Sequence, residues 1–386
     1  MPLPINNPTT PPPPTQTAIL TLATGALAIC PTHPTPPAHP HHNTLLVRTH
    51  ALALNPSDHK MPTRLRTPGL AAGCDFAGTI AAVGSDPDAP ARPGCAPWAV
   101  GDRVCGAVHG CNVLRPGAGA FARWVEADPV VLVRMPRGWG WAEGAALGGS
   151  CVGAVGLGLF REMGLEGPRE GGPGGEAAGL GRTVLVYGGS TACGTMAVQL
   201  LRLAGYIPIT TCSPHNNAQA TSYGAAATFD YRSPTCASDI KAHTQNSLRF
   251  ALDCIGTAQS TALCHEAIGR SGGRYVALER YPESAAGRRN VRGSWVLGPV
   301  MFGRRIEMEG YGRDADAGAR EFGREWYACV ERLAREGKVR VHPPRRLGGR
   351  GGWARAVLEG LEMMKMGKVS GEKLVVEMDE QVDEQV

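Results

Sequence analysis

Charged residues, aromatic residues and long apolar runs are all scarce in this chain. Charged side chains make up 19% and aromatic ones 6% of the 386 residues. The formal charge of +5 is not gathered into a basic run with interleaved aromatic residues, which argues against nucleic-acid binding. No apolar stretch of about 20 residues stands out, and the N-terminus is rich in proline and threonine. We therefore expect a cytoplasmic protein with neither a membrane span nor a secretory leader.

Metal-binding spacing is also missing, although the chain has twelve cysteines. No two of them form a C-x-x-C pair, and the group Cys95, Cys105 and Cys111 is too loosely spaced for a structural zinc lobe. Histidines at positions 39, 41 and 42 lie in a proline-rich run that fixes no ligand geometry. We expect free thiols and no metal site.

A strand that turns into a helix is the most informative feature present. An apolar run at 184–187 passes through small residues at 188–191 into apolar residues at helical spacing. Small residues let the backbone approach a pyrophosphate, and the helix N-terminus offers free N–H groups. An ordinary strand–turn–helix would look similar in a chain with 52 glycines, and Ala192 stands where a glycine is common. The second strand that follows favours a dinucleotide site.

That second strand, at 206–212, lacks a carboxylate at its end. NAD enzymes usually place Asp or Glu there to bond the ribose 2′-hydroxyl. Here the strand runs into Ser213, Pro214, His215 and Asn216. A 2′-phosphate is repelled by a carboxylate but accepted by a hydroxyl, an imidazole or an amide. The sequence therefore predicts NADPH in preference to NADH.

The order of predicted elements indicates two domains. Short strands separated by glycines, at 18–22, 26–29, 45–54, 73–84 and 98–106, favour an irregular β-barrel. Strands then alternate with helices from 183 to about 333, which is typical of a doubly wound parallel sheet. We expect a helix at 142–160, later strands at 250–254, 274–278 and 306–309, a helix at 353–366 and a strand at 372–378 returning to the first domain's sheet.

The predicted boundaries follow from these changes in pattern. We expect a disordered N-terminus (1–17), a catalytic domain made of 18–155 and 335–378, a nucleotide domain (156–334) with a flexible insertion (166–181), and an acidic tail (379–386). Pro299 is expected just before the last strand of the nucleotide sheet, where it would remove a ladder donor. This favours a monomer over pairing of edge strands.

Several motifs in combination resemble the medium-chain dehydrogenase/reductase superfamily. They are the segments 54–60, 73–78, 83–84, 100–104, 119–121, 188–194 and 229–232. The resemblance implies an α/β protein with a GroES-like irregular β-barrel and a Rossmann domain. Gly73, Cys74 and Asp75 stand where zinc alcohol dehydrogenases have Gly-His-Glu, which implies the zinc-free branch.

Within that branch, the segments 187–192, 205–209, 211–216, 251–255 and 370–374 resemble fungal trans-acting enoyl reductases. Such a resemblance implies a partner of a highly reducing polyketide synthase. The implied activity is NADPH-dependent reduction of the α,β-double bond of a polyketide thioester on an acyl-carrier domain. The chain departs from the family at Gly153 and Ala154, where the family usually has Ser-Thr.

The resemblance also assigns site residues. Lys60 is the candidate for electrostatic help or proton relay, although contact with only cofactor or solvent stays open. Cofactor contacts are implied at Ser57, Asp58, His59, Lys60, Ser190, Thr191, Ala192, Cys193, Ser213, Pro214, His215, Asn216, Tyr231, Leu278, Glu279, Val369 and Ser370. Substrate contacts are implied at Ala154, Val155, Gly156, Leu157, Gly158, Leu159, Phe160, Arg161, Val300, Met301, Phe302, Gly303 and Arg304.

Two other functions share these features. A free-standing NADPH quinone or small-enone reductase needs no partner, and a regulatory protein that binds the nucleotide without catalysis needs no substrate. A basic surface formed by Arg288, Arg289, Arg292, Arg304 and Arg305 would favour docking of an acidic carrier domain. The same arginines solvated on a protein face would carry no function.

Overall fold

The protein is described by a computed structural model over residues 11–37, 43–84, 91–168, 181–348 and 351–378. The expectations for residues 1–10, the three histidines at 39–42, most of the insertion (169–180) and the acidic tail (379–386) lie outside the described residues. Disorder up to residue 17 is wrong in part, because the first strand begins at Thr15.

Strands dominate the first half of the chain. In chain order it forms β1 (Thr15–Thr21), β2 (Leu27–Pro34), β3 (Leu45–Ala53), α1 (Pro56–Leu65), β4 (Asp75–Val83), β5 (Arg103–Ala107), β6 (Trp124–Ala127), β7 (Leu132–Arg134), α2 (Trp141–Leu147) and α3 (Gly149–Gly156). Strands β1 and β2 form a separate hairpin, and β6 pairs with β3.

Strands and helices alternate in the second half. It forms β8 (Thr183–Tyr187), α4 (Ala192–Leu203), β9 (Ile207–Thr211), α5 (Asn217–Ser222), β10 (Ala227–Phe229), α6 (Cys236–His243), β11 (Phe250–Asp253), α7 (Ala258–Ala267), β12 (Gly273–Ala277), β13 (Val291–Trp295), α8 (Ala317–Arg335), β14 (Pro344–Leu347), α9 (Gly352–Lys365) and β15 (Lys373–Glu377). The alternation produces a parallel sheet with the strand order β10-β9-β8-β11-β12-β13.

A mixed sheet is completed by the end of the chain. Its order is β14-β15-β3-β4-β5-β7, so the predicted returning strand β15 pairs with β3. Both faces of β3 are buried: Ala51 and Ala53 join the core that contains α2, and Leu52 joins the core that contains α9. Burial on two faces explains why six of the nine residues of β3 are apolar, more than a strand with one buried face would have.

The predicted helix at 142–160 is interrupted. Gly148 adopts φ +69°, which ends α2 and starts α3, and a π-helical segment (Leu157–Glu162) follows. The expectation of no apolar stretch of membrane-spanning length is wrong, because the run Trp141–Glu162 is long and apolar enough. However, 78% of the most apolar 18 residues in this run are buried inside the protein. Its apolar character therefore serves the core.

The last predicted strand of the parallel sheet is wrong. The sheet ends with β13, whereas Ile306 only bridges Arg313 outside any strand. Pro299 follows β13 and lies in a 3-10 helix (Gly298–Phe302). It therefore removes no ladder donor, and the argument for a monomer from this proline fails.

Candidate functional site

The turn after β8 brings backbone close to the start of α4. A Cβ atom on Gly189 would lie 1.9 Å from Thr210 Oγ1, and one on Gly194 would lie 2.2 Å from the Gly188 oxygen. Thr191 caps the helix: its Oγ1 accepts from Gly194 N at 2.9 Å and donates to Gly188 O at 2.8 Å. This cradle of small residues and free helix N–H groups fits a pyrophosphate.

The other predicted turn residues occupy the same place. Ser190 and Ala192 are half-buried beside Thr191, at the carboxyl end of β8. Cys193, also half-buried, shares a thiol hydrogen bond with Cys151 of α3, and this bond lowers the pKa of the Cys193 thiol. This thiol contact links the cradle to helix α3.

The end of β9 gathers the residues predicted for the adenosine side. Ser370 Oγ lies 3.2 Å from His215 Nε2 and accepts from Asn216 Nδ2 at 3.1 Å. Ser213 Oγ donates to the Tyr231 hydroxyl at 3.5 Å. Pro214 is exposed beside them, and Val369 is half-buried next to Ser370. No carboxylate occurs at 212–216. The side chains present there are hydroxyl, imidazole and amide groups, which are compatible with a 2′-phosphate.

A charged cluster lies where α1 meets the carboxyl end of β12. Glu279 lies 3.9 Å from Lys60 Nζ, accepts from Arg64 Nη1 at 3.3 Å and accepts from the Tyr311 hydroxyl at 2.8 Å. Leu278 packs beside it against the Gly158 backbone. The predicted residues Lys60 and Glu279 are thus brought together, and Glu279 is the ion-pair partner of the Lys60 ammonium.

Ser57 and His59 are half-buried in the first turn of α1, but Asp58 turns inward. Its Oδ2 accepts from Asn55 N at 2.8 Å, closing a capping box, and Oδ1 is buried without a hydrogen-bond partner. Burial raises the pKa of Asp58 to about 7, and the nearby Asp75 carboxylate adds to the rise. Asp58 is placed to hold the helix start, and its contact with a cofactor stays a prediction.

A buried ion pair below this turn was not indicated by the sequence pattern. Asp75 is 0% exposed; it accepts from Ser150 N at 2.7 Å and from Asn55 Nδ2 at 2.9 Å. Lys373 Nζ lies 3.4 Å from the same carboxylate and also donates to the Asn55 amide oxygen. Burial lowers the pKa of Lys373, but Asp75 together with Cys151, Cys193 and Asp58 raises it by more, so the net pKa is raised and the ammonium stays charged.

Cys74 and Asp75 are the candidates for metal ligands, because they stand where zinc alcohol dehydrogenases have His and Glu. Within the described ranges, no three His, Cys, Asp or Glu side chains converge on one point. The Asp75 carboxylate is instead occupied by protein donors. Burial raises the pKa of the Cys74 thiol well above its usual value, which disfavours the thiolate that zinc binds.

The first predicted substrate segment lies mainly in the core. Val155 and Leu159 are 0% exposed, and the Gly156 backbone lies against the Trp326 indole, so these residues offer a ligand no surface. Leu157 and Gly158 are buried as well, whereas Ala154, Phe160 and Arg161 are half-buried. The segment is apolar because α8 and the parallel sheet pack over it.

The second predicted substrate segment is partly accessible. Met301 is 2% exposed and packs on Gly153, whereas Val300, Phe302 and Gly303 are half-buried and Arg304 is exposed. The Phe302 ring lies 6.2 Å from that of His109, and Arg304 lies 3.6 Å from Asp128. These four side chains border a small cavity of about 20 Å³ with Asn112 and Arg115. His109 was missed because it belongs to a distant loop.

The predicted basic surface does not form as one patch. Arg288 is turned inward and donates to the carbonyl oxygens of His265, Ile268 and Gly269 at the end of α7. Arg304 pairs with Asp128, and Arg305 pairs with Glu307 at 2.8 Å. Of the five predicted arginines, Arg289 and Arg292 are the two that lie exposed on the parallel-sheet side.

Comparison with known folds agrees with this architecture. A family model described as the alcohol dehydrogenase GroES-like domain matches residues 41–137. The CurK enoyl reductase has a TM-score of 0.69 at 18% identity, covering 94% of this chain and 100% of its own. A quinone oxidoreductase from Coxiella burnetii has a TM-score of 0.63 at 20% identity, covering 94% and 99%. The fold is that of the medium-chain dehydrogenases/reductases.

Relatives of higher sequence identity show which family within this superfamily the chain belongs to. Trans-enoyl reductase ucsL of Acremonium is 48% identical, covering 94% of this chain and 97% of its own. Trans-enoyl reductase ccsC of Aspergillus clavatus is 46% identical, covering 86% and 88%, and pyiC of Pyricularia grisea is 44% identical, covering 87% of each chain. The chain belongs to the trans-enoyl reductase family, which confirms the resemblance found in its motifs.

Proposed function

We propose that the protein is a cytoplasmic, trans-acting enoyl reductase that uses NADPH to reduce the α,β-double bond of a polyketide thioester. The thioester is held on an acyl-carrier domain of a highly reducing polyketide synthase. The observation that carries the reaction class is the similarity to trans-enoyl reductases, at 48% identity over 94% of the chain. The choice of NADPH rests on the acid-free end of β9, where Ser213, His215 and Asn216 lie together.

The chain's own groups would bind the cofactor in an extended form. The cradle before α4 would hold the pyrophosphate, and the Ser213–Tyr231 side would hold the 2′-phosphate and adenine. Glu279 and Lys60 lie at the opposite end of the carboxyl edge, where the nicotinamide would lie. When bound, reduced nicotinamide supplies a hydride for the β-carbon of an enoyl thioester.

Lys60 is the candidate for stabilising charge on the thioester oxygen or relaying a proton. Its side chain is 38% exposed and its ammonium is close enough to Glu279 for an ion pair. A contribution to the chemical step predicts that Lys60→Gln lowers kcat, whereas contact with the cofactor alone predicts a raised KM for NADPH with kcat unchanged.

The test compares electron acceptors at fixed NADPH. Crotonyl-pantetheine is the substrate, butyryl-pantetheine is the matched saturated control, and a soluble quinone represents the detoxifying alternative. We expect NADPH oxidation with the crotonyl thioester, little with NADH and slow turnover of quinone. Rapid quinone turnover with an inert thioester would support the quinone reductase instead. NADPH binding with no turnover of any acceptor would support a regulatory protein.

A further inference from the structure

The loop that follows β5 carries His109, a residue that the sequence did not single out. The Val108 N–H donates to the Cys74 carbonyl at 2.9 Å, so this loop is fastened to the segment that enters β4. The next residue of that segment, Asp75, accepts from the Asn55 amide at the cap of α1. His109 is thus connected, through one packed segment, to the helix that carries the candidate catalytic lysine.

The hydrogen bonds around His109 determine which ring nitrogen carries the proton. Asn112 Oδ1 accepts from Leu114 N at 3.0 Å, so the amide nitrogen of Asn112 faces the ring. Asn112 Nδ2 then donates to His109 Nδ1 at 3.1 Å. Burial lowers the pKa of His109 to about 4, and the Arg115 charge adds to the fall, so the ring is neutral at pH 7. A neutral ring that accepts at Nδ1 carries its proton on Nε2.

This Nε2–H group is available to a ligand. Nε2 keeps accessible surface, and no group among the described residues accepts a hydrogen bond from it. The two acids that border the cavity beside His109 already have partners: Glu126 accepts from Arg115 at 2.6 Å, and Asp128 accepts from Arg320 at 2.9 Å. The acceptor for Nε2–H therefore comes from outside the chain, as water in the free protein or as a ligand oxygen that replaces it.

The cavity beside His109 has room for one oxygen atom. Its volume is about 20 Å³, whereas a water needs roughly 10–15 Å³, so an acyl chain does not fit. Phe302 covers one side, with its ring 6.2 Å from the His109 ring and 19° from parallel. Arg304 borders the cavity with 45% of its side chain exposed, so the cavity lies next to solvent. A carbonyl oxygen at the end of an entering ligand matches this size and this donor.

We propose that His109 Nε2–H donates a hydrogen bond to a carbonyl oxygen of the pantetheine-bound substrate. The inference rests on the proposed function, because it assigns one substrate contact of that reaction. The carbonyl belongs either to the thioester, where negative charge develops during reduction, or to an amide of the pantetheine arm. A donor to the thioester oxygen lowers the barrier of the chemical step, whereas a donor to an amide contributes to binding.

Three substitutions separate the donor from the ring. His109→Phe keeps a ring against Phe302 but removes both nitrogens. His109→Asn keeps an acceptor for Asn112, while its shorter side chain leaves the cavity without the donor. His109→Gln keeps the acceptor and restores an N–H that reaches the cavity. The matched control is His50→Phe, because His50 also stacks on a ring, that of Trp141 at 4.3 Å, and burial also lowers its pKa to about 4.

Each protein is assayed at saturating NADPH with crotonyl-pantetheine and with the ethyl thioester of crotonic acid, which has no amide. We expect His109→Phe and His109→Asn to lose roughly tenfold in kcat/KM with crotonyl-pantetheine. His109→Gln should recover most of this loss, and His50→Phe should match wild type. A loss in kcat with both substrates assigns the contact to the thioester oxygen. A rise in KM with crotonyl-pantetheine alone assigns it to an amide oxygen of the arm.

NADPH affinity, measured by fluorescence titration, distinguishes a lost substrate contact from a damaged fold. We expect all three His109 variants to bind NADPH as wild type does. Wild-type kcat/KM in the phenylalanine and asparagine variants would overturn the assignment. So would a loss of NADPH binding in step with activity, or an equal loss of activity in the glutamine variant. A wild-type chain that binds NADPH but reduces neither thioester would contradict the proposed function instead.

Discussion

Asp75 shows how a single buried carboxylate is held by the chain around it. It has no exposed surface and binds Asn55, Ser150 and Lys373, which belong to separate elements. Asp75→Asn leaves the Lys373 ammonium buried without its counter-charge. We expect a loss of about 3–5 kcal/mol in the free energy of unfolding, measured by urea denaturation.

The control for Asp75 is an exposed pair at a similar distance. Glu372 and Arg345 lie 3.5 Å apart with both side chains 43% exposed, so Glu372→Gln should cost less than about 1 kcal/mol. Equal losses in the two variants would show that Lys373 is not charged in the folded protein. Asp75→Asn combined with Lys373→Met should recover part of the loss.

Asp58 gives the protein a dependence on pH. Burial raises its pKa from the usual 3.8 to about 7, so the folded protein keeps a proton that the unfolded chain releases. The stability it contributes is complete below pH 3.8 and is lost as pH rises through 7. In the wild-type protein the free energy of unfolding should therefore fall by up to about 1.4 kcal/mol for each pH unit as the pH rises from 3.8 to 7. Asp58→Asn should abolish this fall. Urea titrations across this window measure it, with exposed Asp239→Asn as the control; parallel profiles for wild type and Asp58→Asn would contradict the assignment.

At the scale of elements, α4 depends on close contact with the turn before it. A Cβ on Gly194 would meet the Gly188 oxygen at 2.2 Å, so Gly194→Ala must push the helix off the cradle. We expect NADPH binding to weaken by roughly tenfold or more, measured by fluorescence titration. Gly138→Ala, at a glycine with no atom within 4 Å of the added carbon, should bind as wild type. Unchanged binding by Gly194→Ala would show that the cradle does not hold the pyrophosphate.

The end of β9 determines the cofactor in our proposal. Ser213→Asp places a carboxylate where NAD enzymes have one, which repels a 2′-phosphate and accepts a 2′-hydroxyl. The ratio of kcat/KM for NADPH to that for NADH should fall by roughly two orders of magnitude. Ser213→Asn has the same shape without the charge and should keep most of the preference. An unaltered ratio in the aspartate variant would place the 2′-phosphate elsewhere.

At the scale of the whole molecule, the mixed sheet depends on the far end of the chain. Strand β15 lies between β14 and β3, and Leu374, Val375 and Val376 are at most 1% exposed. A chain that stops after residue 370 should lose this central strand and fail to give soluble protein. One that stops after residue 378 should show the unfolding transition of the full chain. Soluble, cooperatively folded protein from the shorter chain would show that β15 is dispensable.

Local patterns predicted the elements that depend on neighbouring residues. The turn at Gly188 and the returning strand β15 both follow from patterns of a few residues. The prediction of a strand at 306–309 was wrong. The alternating apolar residues there resemble a strand, but the strand that pairs with β12 is β13, and such long-range pairing is not visible in a local pattern. Apolar residues at 155–159 predicted a pocket wall but pack against Trp326, since periodicity cannot distinguish a core from a cavity.

The Asp75–Lys373 pair could not be found in the same way. Its partners lie 298 positions apart, and neither stands in a local pattern that requires the other. The Lys60–Glu279 pair, the turn at 190–193 and the residues at 213–216 lie along the carboxyl edge of the parallel sheet, whereas the substrate segment 155–159 lies in the core. Their contacts with cofactor and substrate stay predictions.

The place of β15 has a consequence for biosynthesis. Val375 pairs with Ala53, so the mixed sheet waits for a partner made more than 300 residues later. At roughly 5–20 residues per second, that is about 15–60 s on the ribosome. During this time the edge of β3 that β15 covers stays open, and the whole parallel sheet is synthesised before β15 is made. The cell must therefore shield a half-built first domain, and production in a foreign host should improve with slower synthesis or added chaperone.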